Sequence, residues 1–168
     1  MLEWNYEQKY AVFSMPNYTK KVLKRYRHST PRQTQDCPYQ PVPRQYGSQS
    51  RILPQEDPGT LPDDNGEQYI RQVVESLIYY ARVIDLAILF ALSEIAQKQA
   101  NSTDNTIQCV KQLLSYMHSN PFAKIRFQAF DMILNTHSDA SYISAGKGQS
   151  CAGGYFFLGS LPRNSESI

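Results

Sequence analysis

Met132-Ile133-Leu134-Asn135-Thr136-His137-Ser138-Asp139-Ala140-Ser141-Tyr142 carries the change from helical to extended periodicity, and that change decides the fold class. Met132, Leu134, Thr136 and Ser138 fall on one face, and Ile133, Asn135, His137 and Asp139 on the other, the period of two of a β-strand. The strand is expected to end at Asp139, where small and polar residues follow. A Gly/Ser/Lys-rich connection then leads to a second apolar run, Gly153-Gly154-Tyr155-Phe156-Phe157-Leu158. Together the two runs read as a hairpin. Asp139 fits two descriptions: a carboxylate holding a divalent cation over a nucleic-acid phosphate, or a solvated surface acid.

Working back from this hairpin, Ala123, Ile125, Phe127 and Ala129 alternate with Lys124, Arg126 and Gln128. They predict another strand, able to pair with the Asp139 strand. Before it the period is helical. Ile70, Val73, Val74, Leu77, Ile78 and Ala81 give an amphipathic helix over 67–82. Leu86 to Gln97 is apolar nearly all round, which predicts a helix buried between other elements, with Asp85 capping its start. Ser102 or Thr103 caps a third helix whose inner face is Ile107, Val110, Leu113, Leu114 and Met117, ending at Ser119-Asn120-Pro121. Burying such side chains at about 1.5–3 kcal/mol each supplies a hydrophobic core.

Upstream, Pro31, Pro38, Pro41, Pro43, Pro54, Pro58 and Pro62 recur among Gln, Ser, Asp and Gly. Each fixes φ and removes a donor, so neither helix nor central strand persists over 29–66. The stretch reads as a flexible linker that crosses a surface or is disordered alone, with Tyr39, Tyr46 and Leu53 as local tacks. Met1 to Phe13 predicts a hairpin turning at Glu7-Gln8-Lys9. Ser14 is the expected cap of a helix over 17–28, whose apolar stripe is Tyr18, Val22, Leu23 and Tyr26.

At 168 residues and 41% hydrophobic, the chain has room for one domain if its core is concentrated in part of the sequence, as it is. The fold class is α+β. Four segments follow: 1–28, a hairpin and basic helix; 29–66, the Pro-rich linker; 67–121, a three-helix block; and 122–168, the opening strands of a sheet. The most hydrophobic window, Val83 to Ala96, is broken by Asp85, Ser93 and Glu94, which excludes a membrane span there. Met1 to Asn17 has no apolar core of a signal peptide, so the expected location is intracellular, in cytoplasm or nucleus. Cys37, Cys109 and Cys151 match no zinc spacing or disulfide framework and read as thiols in a reducing compartment.

The net charge is only +2, but it is unevenly placed. Lys20, Lys21, Lys24, Arg25, Arg27 and Arg32 follow one another with no acid among them, while acids gather over 56–67. Such a cationic helix face either meets a polyanion or is merely solvated.

Four places in the chain resemble the back half of a Ty1/copia-type retrotransposon reverse transcriptase, its thumb and connection running into a truncated ribonuclease H domain. Leu2 to Tyr6 with Ser14-Met15-Pro16-Asn17-Tyr18-Thr19-Lys20-Lys21-Val22-Leu23 resembles the primer-side hairpin and the pattern S-x-x-x-Y-x-x-K-x-L. Thr30-Pro31 resembles the opening of the variable linker. Glu75-Ser76-Leu77-Ile78-Tyr79-Tyr80-Ala81-Arg82, Asp85 and Ala91-Leu92-Ser93 resemble G-x-L-x-Y-x-A, R-x-D and A-x-x-x-L-S. His137-Ser138-Asp139-Ala140-Ser141-Tyr142 and Ala152-Gly153-Gly154-Tyr155-Phe156-Phe157-Leu158 resemble S-D-A-x-(W/Y) and S-G-Y-x-F-x-L. The chain departs from the family at Glu75-Ser76, where glycine is expected, and at Val83-Ile84, where proline often precedes the aspartate.

The resemblance implies an RNA-directed DNA polymerase with ribonuclease H as the parent, and Mg2+ as its cofactor. It implies that Asp139 is the first metal-binding, catalytic carboxylate of the ribonuclease H site. The other carboxylates of that site, and the paired aspartates of the polymerase palm, have no counterpart in this sequence. Magnesium gives up water reluctantly and needs more than one ligand, so tight binding by Asp139 alone is not expected. The implied partners are an RNA/DNA hybrid or other nucleic acid, held by its backbone on Lys20, Lys21, Lys24, Arg25 and Arg27, and the remainder of the polyprotein; no membrane is implied. Trp4 and Tyr6 read either as a grip near the primer strand or as ordinary hairpin core, and His137 as a metal neighbour or a surface histidine. The expected function is thus an inactive polyprotein fragment with residual nucleic-acid binding. The alternatives are a non-catalytic interaction module or a non-functional remnant.

Overall fold

The structure, a computed structural model, describes residues 1–39, 63–145 and 149–160. The fold is α+β, and the described residues form four α-helices and small antiparallel sheets. The described residues form two units, one of 1–39 and 63–127, the other of 128–145 and 149–160.

In the first unit, β1 (Leu2–Asn5) pairs antiparallel with β2 (Tyr10–Ser14), setting Trp4 opposite Ala11 and Asn5 opposite Tyr10. The turn is closed by Asn5 Oδ1, which accepts from the Gln8 amide at 2.8 Å, and by Lys9, whose φ of 51° reverses the chain. β3 (Lys124–Gln128) adds to the other side of β2, giving the order β1-β2-β3. This corrects the expected pairing of that strand with the Asp139 strand. Alternation marks a segment as extended but does not name its partner, and here the free edge of β2 takes it. The Arg126 guanidinium lies over the Tyr10 ring at 3.8 Å and ties the two strands together.

α1 (Tyr18–Arg25) starts from Asn17, which holds a left-handed φ of 64° and makes no side-chain cap. Ser14 does not cap it, because the Ser14 amide donates to the Met1 carbonyl at 2.9 Å and its backbone belongs to the hairpin. α2 (Asp64–Val83) begins about a turn earlier than its apolar stripe predicts. Asp63 caps it by accepting from the Gly66 amide at 2.8 Å, and Asp64 and Glu67 suit the positive end of its dipole. The last residues of the expected linker are therefore helical. Its segment 40–62, including Tyr46 and Leu53, lies outside the described residues.

Asp85 accepts from the Ala87 amide at 3.3 Å and opens a short 3-10 turn, Leu86–Ile88, before α3 (Leu89–Gln97). The expected all-round burial of this stretch does not hold. Ile88, Ala91, Leu92 and Ile95 are buried, whereas Phe90 is 62% exposed and is met by the edge of Tyr39, with ring centroids 5.7 Å apart. α4 (Asp104–Ser119) is capped by Thr103 in a reciprocal box with Thr106. Val22 and Leu23 of α1 join residues of α2, α3 and α4 in one apolar cluster, with Ile70, Leu77, Leu92, Leu113 and Leu114 wholly buried. The chain beyond α1 runs along α4. The Gln35 amide donates to Ser119 Oγ at 3.0 Å, and Gln112 Nε2 donates to the Gln35 side chain at 3.0 Å and to the Cys37 carbonyl at 2.8 Å.

The second unit is a long ribbon of β4 (Ile133–Ala145) and β5 (Gln149–Gly159), antiparallel, with Leu134 opposite Leu158 and His137 opposite Tyr155. Asp139 does not end its strand. It lies mid-ladder opposite Gly153, because Ala140 and Ser141 continue the pairing with Ala152 and Cys151.

Candidate nucleic-acid interface

The basic helix is presented by its own opposite face. Thr19, Val22 and Leu23 are buried, while Lys20, Lys21, Lys24, Arg25 and Arg27 are all exposed. An eight-residue helix is too short to persist alone in water. Tertiary contacts hold it, and the apolar pair is only part of them.

Two tyrosines one turn either side of Val22 clasp α1 to α2. The Tyr18 hydroxyl donates to the Ser76 carbonyl, and its ring stacks on Tyr80 with centroids 5.0 Å apart. The Tyr26 hydroxyl donates to the Gln72 carbonyl at 2.7 Å and lies 2.6 Å from Ser76 Oγ, while its ring meets the edge of Tyr69. Thr19 Oγ1 donates to the Tyr80 hydroxyl at 3.4 Å. The stripe Tyr18, Val22, Tyr26 is visible in the sequence as an apolar face. That its polar tips reach α2 carbonyls is not.

Burial, ahead of every other cause, raises the hydroxyl pKa of Tyr18, Tyr69 and Tyr80 above the ordinary value, so all three hydroxyls keep their protons at neutral pH. A pKa raised in the folded state gives stability that is complete below the unfolded value and lost as pH rises through the folded one. Thermal unfolding followed by circular dichroism is therefore expected to show a melting temperature that falls once pH passes about 10. A melting temperature flat across that range would contradict the clasp.

The last turn of α1 carries Lys24 and Arg25, suited to the negative end of its dipole. Arg25 extends over the Tyr26 ring at 5.5 Å. With no acid in the helix, its exposed face is a run of cations, the side chains that neutralise phosphates.

Trp4 and Tyr6 are not hairpin core. They stack on one another at 6.4 Å and are 62% and 83% exposed. Trp4 also joins Tyr10, Val12, Phe122 and Lys124 in lining a cleft of about 490 Å3.

Asp139 is exposed, and its Oδ1 accepts from the Ala140 amide at 2.8 Å. His137 stacks on Phe157, with ring centroids 5.6 Å apart and planes 5° from parallel. Among the described residues no group of three or more His, Cys, Asp or Glu side chains converges closely enough to hold a metal ion. Among the described residues the donor set around Asp139 thus does not fit a two-cation site. Cys37 and Cys109 are half-buried thiols, and no helix of the described residues is long and apolar enough to cross a membrane.

Comparison with protein-family models, curated proteins and solved structures gives no match to this chain.

Proposed function

We propose that the chain is a nucleic-acid-binding fragment of a retroelement-type polyprotein, without polymerase or ribonuclease H activity of its own. The observation that carries this reading is the exposed cation run Lys20, Lys21, Lys24 and Arg25 of α1, continued by Arg27 just past its end, with the other face of the helix fixed by Tyr18 and Tyr26. Its ligand is the phosphate backbone of a duplex, the RNA/DNA hybrid above all, bound without sequence preference. The resemblance of Ser138-Asp139-Ala140 and Gly154-Tyr155 supports reading β4 and β5 as the opening of a ribonuclease H-like sheet. The remainder of the polyprotein then supplies its other strands, and exposed Leu134 and Phe156 are residues such a sheet would cover.

The test combines binding and hydrolysis. With all five cations engaged, the logarithm of affinity for a labelled hybrid should fall with log[salt] at a slope of about −4 to −5. No Mg2+-dependent cleavage of the hybrid is expected. Failure to bind at low salt would remove the nucleic-acid reading. Cleavage that Asp139→Asn abolishes would overturn the inactivity.

A further inference from the structure

The cationic surface does not stop at the end of α1. His28 folds back on the helix, its amide donating to the Leu23 carbonyl at 3.0 Å, and its Nε2 lies 3.1 Å from Ser115 Oγ of α4. Lys111 and His118 stand one turn before and one turn after Ser115 on the same stripe of α4, the spacing that makes helix neighbours. The α4 stripe therefore brings both of them to the His28 ring.

Burial first, then His118 and Lys111, hold the His28 pKa below the ordinary imidazole value. In the chain His28 follows the cations Lys24, Arg25 and Arg27, and Asp36 belongs to the segment that passes along α4. Three groups of one sign in one place repel each other once protonated. An anion set among them relieves that repulsion and favours their charged forms.

We propose that His28, Lys111 and His118 form a seat for a further backbone phosphate of the same nucleic acid, engaged as pH falls. It extends the α1 cations across to α4 and makes binding tighten as pH falls. This rests on the nucleic-acid reading of α1, and it adds what that reading lacks: a proton-linked contact on a second helix. The linkage has a fixed sign. A phosphate beside the ring raises the His28 pKa, so binding takes up a proton and the affinity gain appears between about pH 8 and about pH 6.

The experiment measures anisotropy of a labelled DNA duplex with the full chain at both pH values over a salt series. At the lower pH affinity should rise severalfold, and the salt slope should steepen by about one. Lys111→Gln with His118→Gln should remove that gain, while binding at the higher pH falls by no more than the loss of one fixed cation allows and is still carried by α1. His28→Gln should reduce the gain, and His137→Gln, in the β4–β5 ribbon, should not. Lys20→Glu with Lys24→Glu should weaken binding at the higher pH yet keep a gain on acidification. No gain in the unaltered chain, or the same gain in the Lys111/His118 variant, would overturn the seat. Absence of binding at the higher pH would instead count against α1, and acid binding abolished by the Lys111/His118 variant would still support the seat. No binding at either pH would overturn both.

Discussion

Lys20→Glu combined with Lys24→Glu is expected to weaken binding of a nucleic-acid duplex by about a hundredfold at about 50 mM salt. The size follows from counterion release. Two lost phosphate contacts flatten the salt slope by about two, and the two new carboxylates repel neighbouring phosphates. The difference between variant and unaltered chain should therefore shrink as salt rises. Folding should be spared. Both lysines are exposed, and the clasp at Tyr18 and Tyr26 lies on the other side of the helix. Glu and Lys have similar helix propensity. Glu at position 20 suits the start of the helix, while at position 24 it opposes the dipole by a few tenths of a kcal/mol. Equal affinities with an unchanged melting temperature would remove α1 from the interface. A drop in affinity that persists undiminished at high salt would point to a contact other than phosphate neutralisation.

What could be read beforehand and what could not divides along the range of the interactions. The hairpin of β1 and β2, the stripes of α2 and α4 and the caps at Asp85 and Thr103 depend on residues close in sequence, and each is visible there. The cap of α1, its end at Arg25 in place of His28, and the start of α2 are not legible, because helix ends are decided by backbone state. Asn17 accepts a left-handed φ that no pattern announces, and Asp63 recruits Gly66 into a helix from a stretch whose composition resembles the linker. The partner of β3 is a competition between distant edges, which alternation cannot adjudicate. The small residues after Asp139 suggest a strand end, but pairing to β5 keeps them extended. The apolar character of Phe90 suggests burial, although only part of α3 faces the cluster.

The candidate site shows the same division. A run of lysines and arginines without acids is legible at once, and the structure leaves those side chains exposed. The tyrosine clasp beneath them and the histidine pair beside them are not legible. Tyr18 meets a carbonyl 58 residues away, and His28 meets a hydroxyl 87 residues away. Such contacts exist only once α1 has docked.

Tyr80→Ala should cost about 3–5 kcal/mol, the range for deleting a large buried aromatic. Tyr80 is 1% exposed, stacks on Tyr18 at 5.0 Å and meets Thr19 through its hydroxyl, so it is the floor on which α1 rests. Domains of this kind hold about 5–15 kcal/mol in total, so the variant keeps only part of its stability. The loss is not confined to the core. α1 cannot stay helical alone, and without its floor the five cations lose their fixed arrangement. Nucleic-acid affinity is therefore expected to fall along with the melting temperature, although no cation has been altered. Tyr80→Phe separates the two contributions of the side chain. It keeps the ring and forfeits a long 3.4 Å hydrogen bond, so it should cost no more than about 1 kcal/mol and leave binding intact. If Tyr80→Ala melted where the unaltered chain does, the packing described for α1 would be wrong. If it were destabilised but bound a duplex with undiminished affinity while still folded, the cations would act without the fixed helix. Binding would then be the work of a charge run and not of a built surface.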